Sequence, residues 1–223
     1  MDPDGRNQRH FARGLRNAVG LRWARDQLYA TNMGSDHLGD HKPADTMYEL
    51  RDSVNYGWPY CFQSGRGRFS DGKFNPGGKK MNCRRVPTSY AAFDAHSSPL
   101  GLEYFDASNT DELKDSFLVA LHGSTKRSLN RGYRVVRVPG TARRSIVPKD
   151  FISGFLQGDQ VHGRPVDVLR FGTEGFLLTD DHAGVVYYIY KGEDSPVRQR
   201  VISTRIIDFT QRRKGSKDAK KIR

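Results

Sequence analysis

Cysteine is scarce, with 2 in 223 residues. That excludes a disulfide-dense small scaffold and a metal site built on four thiolates. No apolar run approaches the roughly 18 residues a membrane-spanning helix needs. There is no Gly-x-Ser-x-Gly elbow, no phosphate-cradling loop and no Asp-x-Asp-x-Asp-Gly calcium hand, so hydrolase, nucleotide and calcium-hand chemistries lose their usual sequence support. The opening Met1-Asp-Pro-Asp-Gly is not a secretory leader, which implies either a cytosolic protein or a chain without its original start. Hydrophobic residues are also sparse, at 36% with a mean hydropathy of -0.72, so part of the chain, the tail 192–223 above all, is expected to be poorly ordered.

Glycine and aromatics are plentiful, with 23 Gly and 11% Phe, Trp and Tyr, a balance that suits a turn-rich β protein. The net charge of +12 is unevenly placed. Residues 191–223 carry 11 Lys and Arg against 4 Asp and Glu. Such a tail can meet nucleic acid or anionic membrane, but the plainer reading is a solvated terminus. No nucleic-acid motif precedes it, and a nucleic-acid partner is not expected. Cys61 and Cys83 bracket a stretch full of Gly, Lys and Arg. A disulfide there would stabilise by ~3 kcal/mol, and two unrelated thiols are the other reading.

Strand patterns recur. Residues 19–23 alternate, 24–26 turn and 27–31 return. Residues 99–105 and 116–121 repeat that layout, as do 165–171 and 176–179. A third strand follows at 132–138 and 184–190, with 46–51 as a weaker counterpart in the first unit. Two insertions, 60–95 and 140–163, interrupt the repeat, and 150–156 in the second suggests a short helix or turn. Repeated strands with polar loops after the second predict an all-β fold, a partial β-propeller of about three blades over residues 1–191, followed by a basic tail, 192–223. Three blades do not close a ring. The open stack leaves blade edges exposed, and self-association through them is expected. A β-sandwich of three hairpins is the competing architecture.

Several strings carry a family resemblance: Gly14-Leu-Arg-Asn-Ala-Val-Gly-Leu21, Gly34-Ser-Asp-His-Leu-Gly-Asp40, Asn55-Tyr-Gly-Trp-Pro-Tyr-Cys61 and Ala95-His-Ser-Ser-Pro-Leu-Gly101. His122-Gly-Ser with Arg127, His162-Gly-Arg-Pro-Val-Asp167 and Asp180-Asp-His-Ala-Gly184 extend it. In this order they resemble the soluble quinoprotein sugar dehydrogenases, especially the L-sorbosone or pyranose dehydrogenase branch. The resemblance implies a six-bladed β-propeller holding pyrroloquinoline quinone (PQQ) and calcium at one mouth, with this chain as about the C-terminal half. It implies a sugar substrate oxidised by hydride transfer from C1, and a secreted or periplasmic home, to which the cysteine pair also points. The family's catalytic histidine lies in earlier blades and has no counterpart here, so no catalytic residue is assigned.

By the same resemblance Arg16 and Asn17 contact the quinone, with Lys126, Arg127, Arg164 and His122 at the same mouth. A polyanionic quinone needs cationic donors, and the arginine fork fits a carboxylate best. Gly34 and Ser35 are the carbonyl donors to calcium, with Asp36 adding charge. A rival reading makes Asp36, His37, Asp40 and His41 a transition-metal site, though Gly39 and Pro43 oppose the helix that would join the two histidines. His122 and His182 could face the channel or serve structurally, and Trp58 is expected to pack a blade edge. The competing function is a non-catalytic propeller module that binds a carbohydrate or a protein.

Overall fold

The structure is a computed structural model that describes residues 2–141 and 146–191; the basic tail lies outside the described residues. In chain order the strands are β1 (Ala12–Arg13), β2 (Leu21–Ala24), β3 (Gln27–Asn32), β4 (Asp45–Leu50), β5 (Val54–Asn55), β6 (Cys61–Ser64), β7 (Gly67–Ser70) and β8 (Ala91–Phe93). They continue as β9 (Pro99–Phe105), β10 (Ser116–Leu121), β11 (Arg134–Pro139), β12 (Lys149–Ile152), β13 (Leu156–Gln157), β14 (Gln160–Val161), β15 (Pro165–Phe171), β16 (Gly175–Asp180) and β17 (Val185–Tyr190). Among the described residues only short 3-10 turns accompany them, and no helix there is long and apolar enough to cross a membrane.

Three antiparallel sheets follow the repeat: β2-β3-β4-β8, β9-β10-β11-β12 and β15-β16-β17. None closes on itself. They stack as consecutive blades of a partial propeller, which the two-sided burial of the middle strands explains. Every residue of β10 is buried. Its odd-numbered side chains Phe117, Val119 and Leu121 enter the core shared with the first blade, beside Tyr29, Met47 and Phe93. Its even-numbered Leu118 and Ala120 enter the core shared with the third, beside Val168, Phe176 and Ile189. The two-residue period thus feeds two cores at once. Each large side chain so buried gains about 1.5–3 kcal/mol.

Polar ties align the blades. Thr31 Oγ1 accepts from Gly20 N at 2.9 Å and donates to the Leu100 carbonyl at 2.6 Å. A Cβ on Gly20 would sit 2.4 Å from that carbonyl, so only glycine lets the inner strands approach this closely. Buried Glu103 pairs with Arg22 at 3.0 Å and accepts from Arg170 N at 3.1 Å, which joins all three sheets.

One expectation is corrected. Residues 150–156 form neither a helix nor one turn: they supply most of β12, the fourth strand of the second blade, and the start of β13. A register shift between Val135 and Val136 lets the successive Phe151 and Ile152 both reach the core, which hides the strand from a two-residue pattern. The stretch 46–51 is the third strand of the first blade, as its place in the repeat implies: β4 is six residues long and paired on both edges, and the end of the first insertion returns as its partner β8. Cys61 and Cys83 are disulfide-bonded across 22 residues, which settles that alternative in favour of the bridge.

Candidate functional site

The polar loops after β3, β10 and β16 carry most of the candidate residues. In the first, the side-chain oxygen of Asn32 accepts from the backbone N–H of Arg16 at 2.9 Å and of Asn17 at 3.2 Å. The end of β3 therefore holds the Arg-Asn pair in place. Arg16 extends its guanidinium to Asp36 Oδ2 at 3.1 Å, while Asn17 is exposed and tied through its backbone, also bridging to Met33. Gly34 donates its N–H to Asp45 Oδ1 at 2.7 Å, and Ser98 N, from the next blade, donates to Asp45 Oδ2 at 2.8 Å. Asp45 is 3% exposed. Burial pushes its carboxyl up to about 6 against the two N–H groups that hold it down. Arg16, Gly34 and Ser35 line one cavity of ≈ 30 Å³, room for about one water, together with Asn32 and Trp58.

The loops are stitched to one another. The Lys126 ammonium, in the second blade, reaches Asp40 of the first at 2.6 Å and holds that carboxyl below its usual range. Arg131 donates to His41 Nδ1 at 2.8 Å, to the Ala95 carbonyl at 3.3 Å and to the Asp40 carbonyl. His96 bridges Asp36 Oδ1 at 3.4 Å and the Gly39 carbonyl at 2.9 Å. From the third blade, Asp181 accepts from His122 Nε2 at 2.9 Å. Burial raises the Asp181 carboxyl, but the His122 bond, its charge and that of Arg164 outweigh it, and the group lies below its ordinary value.

The Arg164 backbone N–H donates to Asp180 Oδ1 at 2.9 Å, and the charge of its side chain acts on Asp181. That side chain donates to the carbonyls of His122 at 3.2 Å and Gly123 at 2.6 Å, and its guanidinium lies over the Tyr133 ring at 5.5 Å. The guanidinium is thus held in place by two carbonyls and a ring. Arg164, Tyr133, Gln160 and His182 line an open cleft of ≈ 650 Å³. The candidates therefore fall into three places. Arg16, Gly34 and Ser35 share the small cavity, Arg164 and His182 share the cleft, and Lys126 and His122 sit in the ion pairs that join the loops. Arg127 opens a 3-10 turn, and its side chain lies outside the described residues.

The rival transition-metal cluster does not assemble. His37 bonds Asp71 at 2.8 Å while His41 meets Arg131. The turn Asp36–Leu38 ends at Gly39 with φ 95°, so no helix aligns the two rings. Among the described residues no group of three His, Cys, Asp or Glu could hold a metal ion. Both Asp36 oxygens face cationic or ring nitrogens, so a calcium ion here would depend on the carbonyls of Gly34 and Ser35. Sequence reasoning placed Asp45 in the polar loop and His96 in a quoted string without giving either a role, and it missed Arg131 and Tyr133; their roles arise from contacts between residues remote in the chain.

Over residues 5–154 the chain matches the TrAA12-like family. An uncharacterized protein of Borreliella burgdorferi is 31% identical over 184 residues, a match spanning 79% of this chain and 47% of that protein. The chain thus spans about half the length of the curated relative it matches. Among solved structures, the calcium structure of the Trichoderma reesei carbohydrate-active enzyme of family AA12 aligns with a TM-score of 0.62 at 16% identity, covering 79% of this chain and 52% of that one. The holo form of the pyranose dehydrogenase PQQ domain from Coprinopsis cinerea aligns at 0.55 with 19% identity, covering 79% and 54%. The apo soluble aldose sugar dehydrogenase of Escherichia coli aligns at 0.54 with 14% identity, covering 78% and 44%. These likenesses show the fold.

Proposed function

Because the chain belongs to the TrAA12-like family, one of the PQQ-dependent sugar dehydrogenase kind, we propose that its stitched loops form part of the cofactor mouth of a sugar dehydrogenase of the sorbosone or pyranose type. The observation that carries this reading is that Arg16 lines one cavity with Gly34 and Ser35, and that Asp40 of the same loop is tied to Lys126 of the second blade; Arg164 of the third blade lines a separate cleft. Such a donor set suits an anionic quinone. Arg16 and Lys126 would exchange Asp36 and Asp40 for ligand carboxylates, and Arg164 is held by the carbonyls of His122 and Gly123. Asn17 and His122 would add hydrogen bonds at the rim, and Arg127 a further cation. Gly34 and Ser35 would hold calcium through their carbonyls, with Asp36 contributing charge. When bound, PQQ with calcium supplies the electron-pair acceptor for oxidation of a sugar at C1. The residues of this chain bind and orient; no described residue takes the part of the base. The disulfide favours an oxidising compartment, hence secretion or a periplasmic home.

The test is a titration of the full chain with PQQ, with and without calcium, followed by absorbance. Saturable binding that calcium tightens is the expected result. No binding in either condition would remove the reading and favour a non-catalytic propeller module that binds a carbohydrate or a protein.

A further inference from the structure

The positive charge of the blades is concentrated in one place. Residues 60–90 leave the first blade and return, closed by the Cys61–Cys83 bridge. They carry seven Lys and Arg and a single carboxylate, Asp71, which is buried against His37. In the rest of residues 1–190, 19 Lys and Arg face 20 Asp and Glu. Arg66, Lys79, Arg84 and Arg85 are exposed, and none of the seven cations makes an ion pair among the described residues. Lys73 and Lys80 lie over the rings of Phe74 and Tyr60 instead. Arg68 keeps a buried Nε with no hydrogen-bond partner.

The lobe is also rigid and aromatic. Asn75 is fully buried, accepting from the N–H groups of Lys80 and Met81 and donating to the Met81 carbonyl at 2.9 Å. That fixes the loop bearing Lys79 and Lys80, so a ligand need not order its backbone. Phe62 and Phe69 stack across the hairpin at 5.7 Å, and Phe69 is 49% exposed. Trp58, 43% exposed, stands at the entry to the lobe and lines the Arg16 cavity with Phe62.

We propose that this lobe binds an acidic polysaccharide, a glycan bearing carboxylate or sulfate groups. The unpaired cations take the anionic groups, and the exposed ring of Phe69 offers a flat apolar face to a sugar ring. The choice of a sugar polymer over other polyanions rests in part on the proposed function; the anionic character rests on the lobe alone. The disulfide supports an extracellular glycan over nucleic acid, because such bridges persist in oxidising compartments.

The test measures binding of the full chain to polygalacturonate and dextran sulfate by affinity electrophoresis, with neutral dextran and duplex DNA as comparisons. The Lys79→Ala, Lys80→Ala, Arg84→Ala, Arg85→Ala variant is expected to lose at least about tenfold in affinity for both acidic glycans and to show a shallower salt dependence. Phe69→Ala should weaken glycan binding while leaving DNA binding unchanged. Both variants should retain wild-type far-UV circular dichroism and an unchanged PQQ titration, so failure here is separable from failure of the proposed function. Undiminished glycan binding by the fourfold variant would overturn the proposal and point to residues 191–223 as the polyanion site. So would equal affinity for DNA and glycan with no effect of Phe69→Ala.

Discussion

Arg16 concentrates the chemistry of the first loop, because its backbone is clamped by Asn32 and its guanidinium spans to Asp36. A charge-assisted bond to a quinone carboxylate is worth about 1.5–3 kcal/mol. Arg16→Ala is therefore expected to weaken PQQ binding roughly ten- to a hundredfold in the absorbance titration. Arg16→Lys should recover only part, since a point charge does not reproduce the fork. Wild-type affinity in Arg16→Ala would make it a structural partner of Asp36 and no more. Asp106 offers a pH test at the same scale. Bonds from Ser108 and then Arg170 hold its carboxyl down, to about 2. A depressed carboxylate contributes stability above its unfolded value near 4 and loses it as pH falls through 2. The pair is about half exposed, so solvent screening leaves under ~1 kcal/mol. The urea midpoint of Arg170→Ala should sit slightly below wild type at pH 7, and the gap should vanish near pH 2.

Among the elements, β10 bears the largest share of packing because both of its faces are cores. Phe117 is fully buried and meets the rings of Tyr29, Tyr90 and Tyr104. Phe117→Ala should cost about 3–5 kcal/mol in urea unfolding, since the surrounding rings belong to two blades and cannot collapse into the void independently. A loss below ~1 kcal/mol would mean the two blades do not share that core in solution. The strand itself was legible, because residues 117–121 form a continuous apolar run between polar residues. Strand β12 was not: its bulged register places Phe151 and Ile152 together, and local periodicity carries no trace of a partner strand's bulge.

For the whole molecule, the stack ends in two apolar faces. Leu21 and Trp23 are 57% and 63% exposed on the first blade, and Leu169 and Phe171 are 52% and 56% exposed on the third. Faces of this kind are the ones neighbouring blades cover, and two copies of three blades would make six, the number the family resemblance implies. Sedimentation velocity is therefore expected to show concentration-dependent self-association, and the Trp23→Ser, Phe171→Ser double variant to shift it toward the monomer. A distribution identical in both proteins would count against a second copy as the covering partner.

The sequence by itself determined the all-β class, the main repeated strands and the family. Those depend on side-chain alternation and on strings such as Gly14-Leu-Arg-Asn17, and both survive in a linear reading. Only the tertiary structure decided that Cys61 pairs with Cys83, that His37 answers to Asp71 and not to His41, and that Arg16 shares a cavity with Gly34. It also decided that Asp45 in one blade anchors Ser98 in the next. Each of these depends on a distance between residues remote in the chain, and that distance is set by how the blades stack.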